Sequence, residues 1–260
     1  MTRWPTLFIS HGAPTFALEP GRAGAALSAL GQKLQRPAAV LVVSPHWSTR
    51  HPRVASSAAP KTLHDFGGFS PALYQLNYPA PGHPLLAARA VELLRAAAWS
   101  AEPDDRWGLD HGAWVPLLHL YPQANVPVFQ VSLPVWLDGA RAYALGQALA
   151  PLALEGVLIV GSGSLTHNLY DVRFDAPAAE VQAYAVEFTA WIEQTLRQRD
   201  HARLQQVMTL APHAERAHPS AEHLWPLLLA AGAAGVQAAA TRIDGGITHG
   251  VLSMDAYRFD

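Results

Sequence analysis

Two histidines stand shortly after runs of apolar residues that are typical of buried strands. His11 follows residues 6–9, and His46 follows residues 39–43. In open α/β sheets, ligands bind at the carboxyl ends of the strands, so two such histidines can lie side by side although they are distant in the chain. Imidazole is a common ligand for zinc, iron and copper. The two residues therefore predict a metal centre at one edge of a sheet.

Further histidines occupy comparable positions. His167 comes after the apolar run 157–160, and His111 stands at a predicted helix start. Ser220 resembles an N-cap, which predicts His223 in the first turn of the following helix. Three imidazoles would leave a bound ion its full positive charge and open coordination positions, so that it could act as a Lewis acid or bind oxygen. Any one of these histidines alone is better explained by capping or core packing, but their shared placement favours a site.

The other histidines have weaker contexts. His64 and His249 are intermediate cases. Six are predicted to be surface or loop residues: His51, His83, His119, His201, His213 and His218. The glycine-rich segment 161–164 lacks the third glycine of a dinucleotide fingerprint and the Gly-Lys-Ser/Thr of a P-loop. The chain also lacks a Gly-x-Ser-x-Gly elbow and a His-Glu-x-x-His helix, so metal chemistry by dispersed histidines fits better than those alternatives.

The elements that must position these residues alternate along the chain. The apolar runs predict strands at 6–9, 39–43, 126–131 and 157–160. The helical patterns lie at 23–34, 85–98, 140–154, 177–199 and 222–231. Continuous apolar strands alternating with helices predict one α/β domain over residues 1–260. We expect a central, mostly parallel or mixed sheet with helices on both faces and the metal site at the strand carboxyl ends. The loop-rich segment 51–82 is expected to shape a binding site.

Composition narrows the class of protein. The 260 residues are 50% hydrophobic and 15% charged, which suits a sizeable core. The net charge of −2 and the lack of basic runs argue against nucleic acid as a partner. Cysteine is absent, which excludes disulfides and a catalytic thiol. The first residues lack a signal-peptide core, and the apolar stretch 224–234 is too short to span a bilayer. We expect a soluble, cytoplasmic protein without membrane contact; a homo-oligomer is compatible with the sequence.

Several segments in a fixed order carry a resemblance to a known family. They are FISHGAP at 8–14, VVSPHW at 42–47, HDFGGF at 64–69, YPAPG at 78–82, GLDHGAW at 108–114, GSGSLTHNL at 161–169, EHLWPL at 222–227 and SMDAYRF at 253–259. Together they span nearly the whole chain. The chain resembles the class III extradiol ring-cleavage dioxygenases, specifically the DOPA 4,5-dioxygenase-like branch related to the beta subunit of protocatechuate 4,5-dioxygenase.

This resemblance implies a set of roles. The implied metal ligands are His11, His46 and His223. His167 would lie beside the metal as catalytic acid/base or as a further ligand, and His111 would be a second catalytic histidine. Glu222 is a rival third ligand, because oxygenase sites commonly use two histidines and one carboxylate. Ala221 departs from the proline that relatives often carry, which would affect the helix start more than the chemistry.

The implied reaction inserts both atoms of O₂ into a catechol, DOPA-like or a related aromatic diol. His167 would accept a phenolic proton as general base, and His167 or His111 would later return one. Trp47, His64 and Phe66, with Trp114, are expected to line the catechol pocket. For these aromatic residues, ordinary core packing carries about equal weight.

The metal and the reaction type stay open at this point. Fe(II) is implied for activity, but three imidazoles suit Zn(II) equally well. The same histidines could instead serve a zinc-dependent hydrolase by lowering the pKa of a bound water. They could also belong to a non-catalytic metal-binding protein with the same fold.

Overall fold

The structure, a computed structural model, describes residues 3–176 and 180–260. Ten strands are assigned: β1 (Thr6–Ser10), β2 (Ala39–Thr49), β3 (Arg53–Ala55), β4 (Glu102–Asp104), β5 (Val128–Pro134), β6 (Val157–Gly163), β7 (Ala240–Ile243), β8 (Ile247–Thr248), β9 (Leu252–Ser253) and β10 (Ala256–Phe259). The α-helices are α1 (Gly21–Lys33), α2 (Pro84–Ala96), α3 (His111–Leu120), α4 (Gly139–Leu149), α5 (Ala183–Arg197), α6 (His201–Gln205), α7 (Val207–Leu210), α8 (Ala214–Ala217) and α9 (Trp225–Ala234).

Eight of the strands form one mixed sheet in the order β4-β3-β5-β2-β6-β1-β10-β7. The four central strands, β5, β2, β6 and β1, run parallel. β10 then pairs antiparallel with β1 and with β7, and β3 pairs antiparallel with β5. The predicted α/β class with a mixed sheet is confirmed. The parallel centre brings the carboxyl ends of β1, β2 and β6 to one edge.

Both faces of the sheet are covered, which explains the continuous apolar runs. In β2, Leu41 and Val43 belong to a core cluster with α2, α4, α5 and α9. Their neighbours Val40 and Val42 belong to a second cluster with α1 and α3. Successive strand residues point to opposite faces. A central strand with helices on both sides therefore favours apolar residues on both of its faces.

Several boundaries differ from the sequence prediction. The strand predicted at 126–131 is β5, which runs on to Pro134. The helix predicted at 140–154 ends as an α-helix at Leu149 and continues as a 3-10 helix, Ala150–Glu155, because a proline lies in its first turn. β2 extends beyond the predicted residue 43 to Thr49, after a register irregularity between Ser44 and Ser48.

The two C-terminal helix predictions also shift. Within the predicted 177–199, the helix begins at Ala183, whereas residues 177–179 lie outside the described residues. The helix predicted at 222–231 begins at Trp225, with Pro226 in its first turn. His223 therefore lies in the turn before the helix. In the described part of the chain, no helix is both long and apolar enough to cross a membrane.

Candidate metal centre and active-site cavity

The predicted strand-end histidines converge. His11 directly follows β1, and His46 lies in the irregular end of β2. Their Nε2 atoms are 3.1 Å apart. His223 joins them from the turn before α9, and one nitrogen from each ring lies within 4.8 Å of the others. The three imidazoles therefore form a compact group that could hold one metal ion.

The tautomer of His11 follows from its hydrogen-bond partner. His11 Nδ1 lies 3.0 Å from Ser162 Oγ. The Ser162 hydroxyl donates its own hydrogen to the carbonyl oxygen of Gly112. The Ser162 oxygen must therefore accept from His11 Nδ1–H, because the hydroxyl has only one hydrogen to give. His11 Nε2 is left with a free lone pair that points towards His46.

His223 is oriented in a similar way by a carboxylate. Its Nδ1 lies 3.0 Å from Glu222 Oε1, to which it donates. The same Glu222 oxygen accepts from Ser220 Oγ at 3.1 Å. The Ser220 hydroxyl thus donates a hydrogen bond to the Glu222 side chain. Because α9 begins only at Trp225, with Leu224 as its N-cap, the prediction that Ser220 caps the helix is wrong. Carboxylate partners of this kind fix the tautomer of a metal-binding histidine.

Glycines in β6 allow the His223 turn to approach the sheet. A Cβ on Gly163 would collide with the backbone carbonyl of His223, and one on Gly161 would collide with that of Pro226. Ser162, between them, projects to the opposite face and reaches His11. The glycine-rich segment that weakly resembles a phosphate loop therefore serves close packing on one face and a hydrogen bond on the other.

His111 lies beside His46 and forms two hydrogen bonds with Asp65. It is the first residue of α3, whose N-cap Asp110 accepts from the backbone N–H of Ala113. His111 Nδ1 donates to Asp65 Oδ2 at 2.9 Å, and its backbone N–H donates to Asp65 Oδ1 at 2.8 Å. The ring centroid of His111 lies 3.8 Å from that of His46. His111 Nε2 is thus the nitrogen left free for a ligand in the cavity.

His167 lies on the other side of the histidine group. Its ring stacks on His223 at a centroid distance of 3.6 Å, with the planes only 8° apart. Its backbone N–H donates to Ala217 O, which ties the segment after β6 to the end of α8. His167 therefore stands beside the triad and not within it.

Burial lowers the pKa of four histidines of the site: His11, His46, His167 and His223. Burial, with the neighbouring histidines as a second cause, lowers the pKa of His11 and of His223 well below the usual value. Burial and the nearby His111 lower the pKa of His46 to about 3, although the Asp65 carboxylate acts to raise it. Burial also lowers the pKa of His167, an effect that Glu222 opposes. Neutral imidazole is the form that binds metals and accepts protons.

The His11, His46 and His223 triad fits a metal better than two other groupings of potential ligands. At 3.1 Å, the lone pairs of two neutral Nε2 atoms repel each other unless a proton or a cation lies between them. The alternatives are His46 with Asp65 and His111, and His167 with Glu222 and His223. In both of these, an imidazole N–H already occupies the carboxylate. A cation would compete with those hydrogen bonds, whereas the triad offers lone pairs that have no other partner in the described residues.

A cavity of about 310 Å³ opens onto this group. Its lining includes the histidines His46, His111, His167 and His223. Of the aromatic residues predicted to line it, Phe66 does so. Its ring centroid lies 5.6 Å from that of His111.

The structure corrects two predictions for the pocket, because neither Trp47 nor His64 lines this cavity. Trp47 is buried and stacks on Trp107 at 5.0 Å, since it follows His46 in the strand and faces the other way. His64 packs its edge against Phe66 and Trp114, with Nε2 3.0 Å from Leu76 O. It supports Phe66 from outside the lining, and Trp114 is a fully buried core residue.

His218 is more deeply buried than its sequence context indicates. Expected on the surface or in a loop, it lies in the connection after α8 but is buried, with its Nε2 donating to Leu165 O at 3.0 Å. Burial lowers its pKa to about 4. His119 and His201 lie in helices and are half-buried. Nothing in the local sequence around His218 marks it as buried, because the covering residues come from distant segments.

Ser162 and Asp65 are the partners that sequence patterns do not single out. Ser162 reaches His11 because β1 and β6 pair in the register Ile9↔Ser162, a long-range property. Asp65 meets His111 across a loop. The only sequence signal for either is its place inside a motif: Ser162 lies in GSGSLTHNL and Asp65 lies in HDFGGF.

The family to which this fold and site correspond is identified by comparison with known proteins. Residues 6–252 match the family described as the catalytic LigB subunit of aromatic ring-opening dioxygenase. The chain belongs to this family and is an oxidoreductase of the ring-cleaving dioxygenase class.

Individual relatives agree over nearly the full length. The chain is 42% identical over 259 residues to a 4,5-DOPA dioxygenase extradiol of Beta vulgaris, covering 98% of this chain and 96% of the relative. It is 37% identical to an Escherichia coli K12 protein of the same name, covering 97% and 93%. A crystal structure of an Escherichia coli K12 protein superposes with a TM-score of 0.81 at 32% identity, covering 99% of this chain and 100% of the other.

Proposed function

We propose that this protein, as a single catalytic domain, opens the ring of a catechol by extradiol cleavage at a ferrous ion held by His11, His46 and His223. The observation that carries the proposal is the convergence of three neutral imidazoles on a cavity that also presents His167 and His111. DOPA or a related aromatic diol is the substrate class suggested by the names of the relatives.

The proposed ligands suit a divalent ion because each has a reason to present one unprotonated nitrogen. Ser162 orients His11, and Glu222 orients His223. His46 Nδ1 faces Asp65 Oδ2 at 3.9 Å, so the proton of its ring is favoured on that side. When bound, Fe(II) would supply two-point binding of the catechol oxygens and open positions for O₂.

His167 is the proposed general base. It lines the cavity beside His223 and is neutral near pH 7, because burial lowers its pKa. A neutral imidazole there can accept the phenolic proton of a catechol bound next to the triad. The base role is favoured over a role as a further metal ligand because His167 stacks on His223 and is not part of the group formed by His11, His46 and His223.

His111 is the proposed second proton carrier. Asp65 accepts from its Nδ1–H and so holds Nε2 towards the cavity. If His111 takes up a proton from the substrate, the carboxylate of Asp65 is in contact to stabilise the imidazolium.

The test is anaerobic reconstitution of the metal-free protein. The protein is loaded with Fe(II) or Zn(II), supplied with a catechol, exposed to air, and followed by oxygen uptake and by absorbance of a yellow ring-opened product. Uptake with Fe(II) and none with Zn(II) is the expected result. Absence of uptake with every catechol, together with Zn(II)-dependent ester or amide hydrolysis, would favour the hydrolase reading instead.

The ligand assignment has its own measurement. His11→Ala and His46→Ala should each lose the metal, as read by elemental analysis of the dialysed protein. His167→Ala should keep it. A His167→Ala protein that loses metal as completely as His11→Ala would make His167 a ligand and remove it from the base role. Metal binding without turnover of any substrate would favour a non-catalytic protein.

A further inference from the structure

The cavity has two chemically different ends. The histidines occupy one end. The rest of the lining is apolar apart from backbone groups, and its largest side chains are Phe66, Phe69, Leu169, Phe174 and Leu252. In the described ranges 3–176 and 180–260, no Arg, Lys, Asp or Glu belongs to the lining. A substrate whose diol meets the histidines would therefore place its substituent against hydrocarbon.

The charged residues next to this wall are already paired. Leu169 and Phe174 flank a short segment that also contains Asp171 and Arg173. Arg216 Nε donates to Asp171 at 3.0 Å, and Arg173 Nε donates to Asp175 at 3.5 Å. Leu169 and Phe174 thus line the cavity while remaining 56% and 50% exposed, and the charged side chains beside them pair with Arg216 or with each other. At the histidine end, Asp65 and Glu222 accept from imidazoles.

Charged groups do occur in a neighbouring groove, which touches the cavity wall at Ala13 and Leu252. Glu19, Arg22 and His249 line that groove. The Arg22 guanidinium donates to Asp244, so its charge is also partnered. These residues are separated from the cavity by the apolar wall and are no part of its lining.

We propose that the preferred substrates are catechols with an uncharged alkyl or aryl substituent, and not catechols with a charged amino-acid side chain such as DOPA. This inference rests on the proposed ring-opening function. An alkyl group leaves water for the apolar wall, which favours binding for each added methylene. A carboxylate or ammonium at the same place gives up part of its hydration and meets no residue of opposite charge in the lining.

The test is a substrate series with the Fe(II)-loaded protein. The compounds are unsubstituted catechol, 4-methyl-, 4-ethyl- and 4-propylcatechol, 3-(3,4-dihydroxyphenyl)propionate, and DOPA. We expect kcat/KM to rise about three- to fourfold for each methylene until the cavity is filled. DOPA and the propionate should fall at least about tenfold below 4-propylcatechol, which is of similar length. Values for DOPA equal to or above those for 4-propylcatechol would overturn the proposal.

Calorimetric binding of the same compounds separates this inference from the proposed function. If no compound is turned over, ring opening fails, but the order of the dissociation constants still tests the cavity. Tighter binding of 4-propylcatechol than of DOPA supports the substrate class. The reverse order contradicts it, whatever the turnover.

A charge introduced at the wall gives a result that misfolding cannot imitate. Leu169→Arg should raise kcat/KM for the propionate relative to 4-propylcatechol about tenfold, because the carboxylate gains a charged hydrogen-bond donor. Leu85→Arg is the matched control, since Leu85 is 80% exposed on α2 and is not part of the cavity lining. It should leave the ratio unchanged. A Leu169→Arg protein with the same ratio as the control would show that the substituent does not lie against this wall.

Discussion

Ser162→Ala is expected to weaken the metal site without touching any metal ligand. The Ser162 hydroxyl accepts from His11 Nδ1–H and donates to the Gly112 carbonyl. Ser162 is fully buried and His11 is 1% exposed, so water cannot readily replace the lost group. The substitution removes the only partner in the described residues that fixes which nitrogen of His11 carries the hydrogen.

The expected size follows from the two groups left behind. Each buried polar group without a partner costs about 1–3 kcal/mol, so the metal-free variant should lose about 2–6 kcal/mol in free energy of unfolding. With the Nδ1–H tautomer no longer favoured, His11 presents its Nε2 lone pair for less of the time. Loss of such an indirect partner typically weakens metal binding about 10- to 100-fold.

Ser164→Ala is the matched control. Ser164 is equally buried, and its hydroxyl donates to Thr166 O at 2.8 Å without contacting a histidine. This variant leaves one buried acceptor, Thr166 O, without its partner, so it should lose about 1–3 kcal/mol of stability and keep the wild-type metal affinity. Metal affinity is measured by competition with a chelator of known strength, and stability by urea unfolding of the metal-free proteins.

Two results would refute this reasoning. If Ser162→Ala binds metal within about twofold of the wild type, the Ser162 hydrogen bond does not control the ligand form of His11. If Ser164→Ala loses as much affinity as Ser162→Ala, the effect reflects general loosening of the strand end.

Three further predictions concern other residues. His167→Ala should retain the metal and lose about two to four powers of ten in turnover, the usual range for general acid–base catalysis, measured by single-turnover product formation; unchanged turnover would remove His167 from the proton-transfer role. Glu222→Ala should weaken metal binding about 10- to 100-fold, because Glu222 orients His223, whereas His223→Ala should abolish binding; equal losses by chelator competition would instead favour Glu222 as the ligand. His218 should destabilise the fold in acid: its pKa is about 4 in the folded state and 6.5 ordinarily, so its contribution is complete above pH 6.5 and declines as the pH falls towards 4, by up to about 3 kcal/mol. His218→Gln, which keeps a donor for Leu165 O, should flatten the urea-derived stability curve of the metal-free protein by that amount, and parallel curves would contradict the assignment.

The strand-end argument was sufficient to bring His11 and His46 together from sequence. It works because the central strands are parallel, so their carboxyl ends share one edge. The geometry of a strand also explains why the sequence wrongly predicts Trp47 in the cavity lining. A residue adjacent to His46 in a strand must face away from it, and a motif match does not change that geometry.

The partners of the histidines could not be predicted because they depend on strand register and loop closure. Ser162 meets His11 only in the register that β1 and β6 adopt, and a shift by one residue would turn its side chain to the other face. The burial of His218 likewise depends on packing from distant segments. β10 was also not predicted, since four residues inserted antiparallel beside β1 leave a weak local pattern.

The proposed ligands are residues 11, 46 and 223, so the proposed metal site draws on nearly the whole length of the chain. During synthesis, an emerging polypeptide has no complete set of donors until β1, β2 and β6 have paired and the turn before α9 has docked. Metal uptake at the proposed site would therefore come late in folding, because contacts of such large sequence separation form slowly. An ion that recognises only this arrangement also favours the native state by mass action. Metal content can thus serve as a direct measure of the fraction of correctly folded molecules in a preparation.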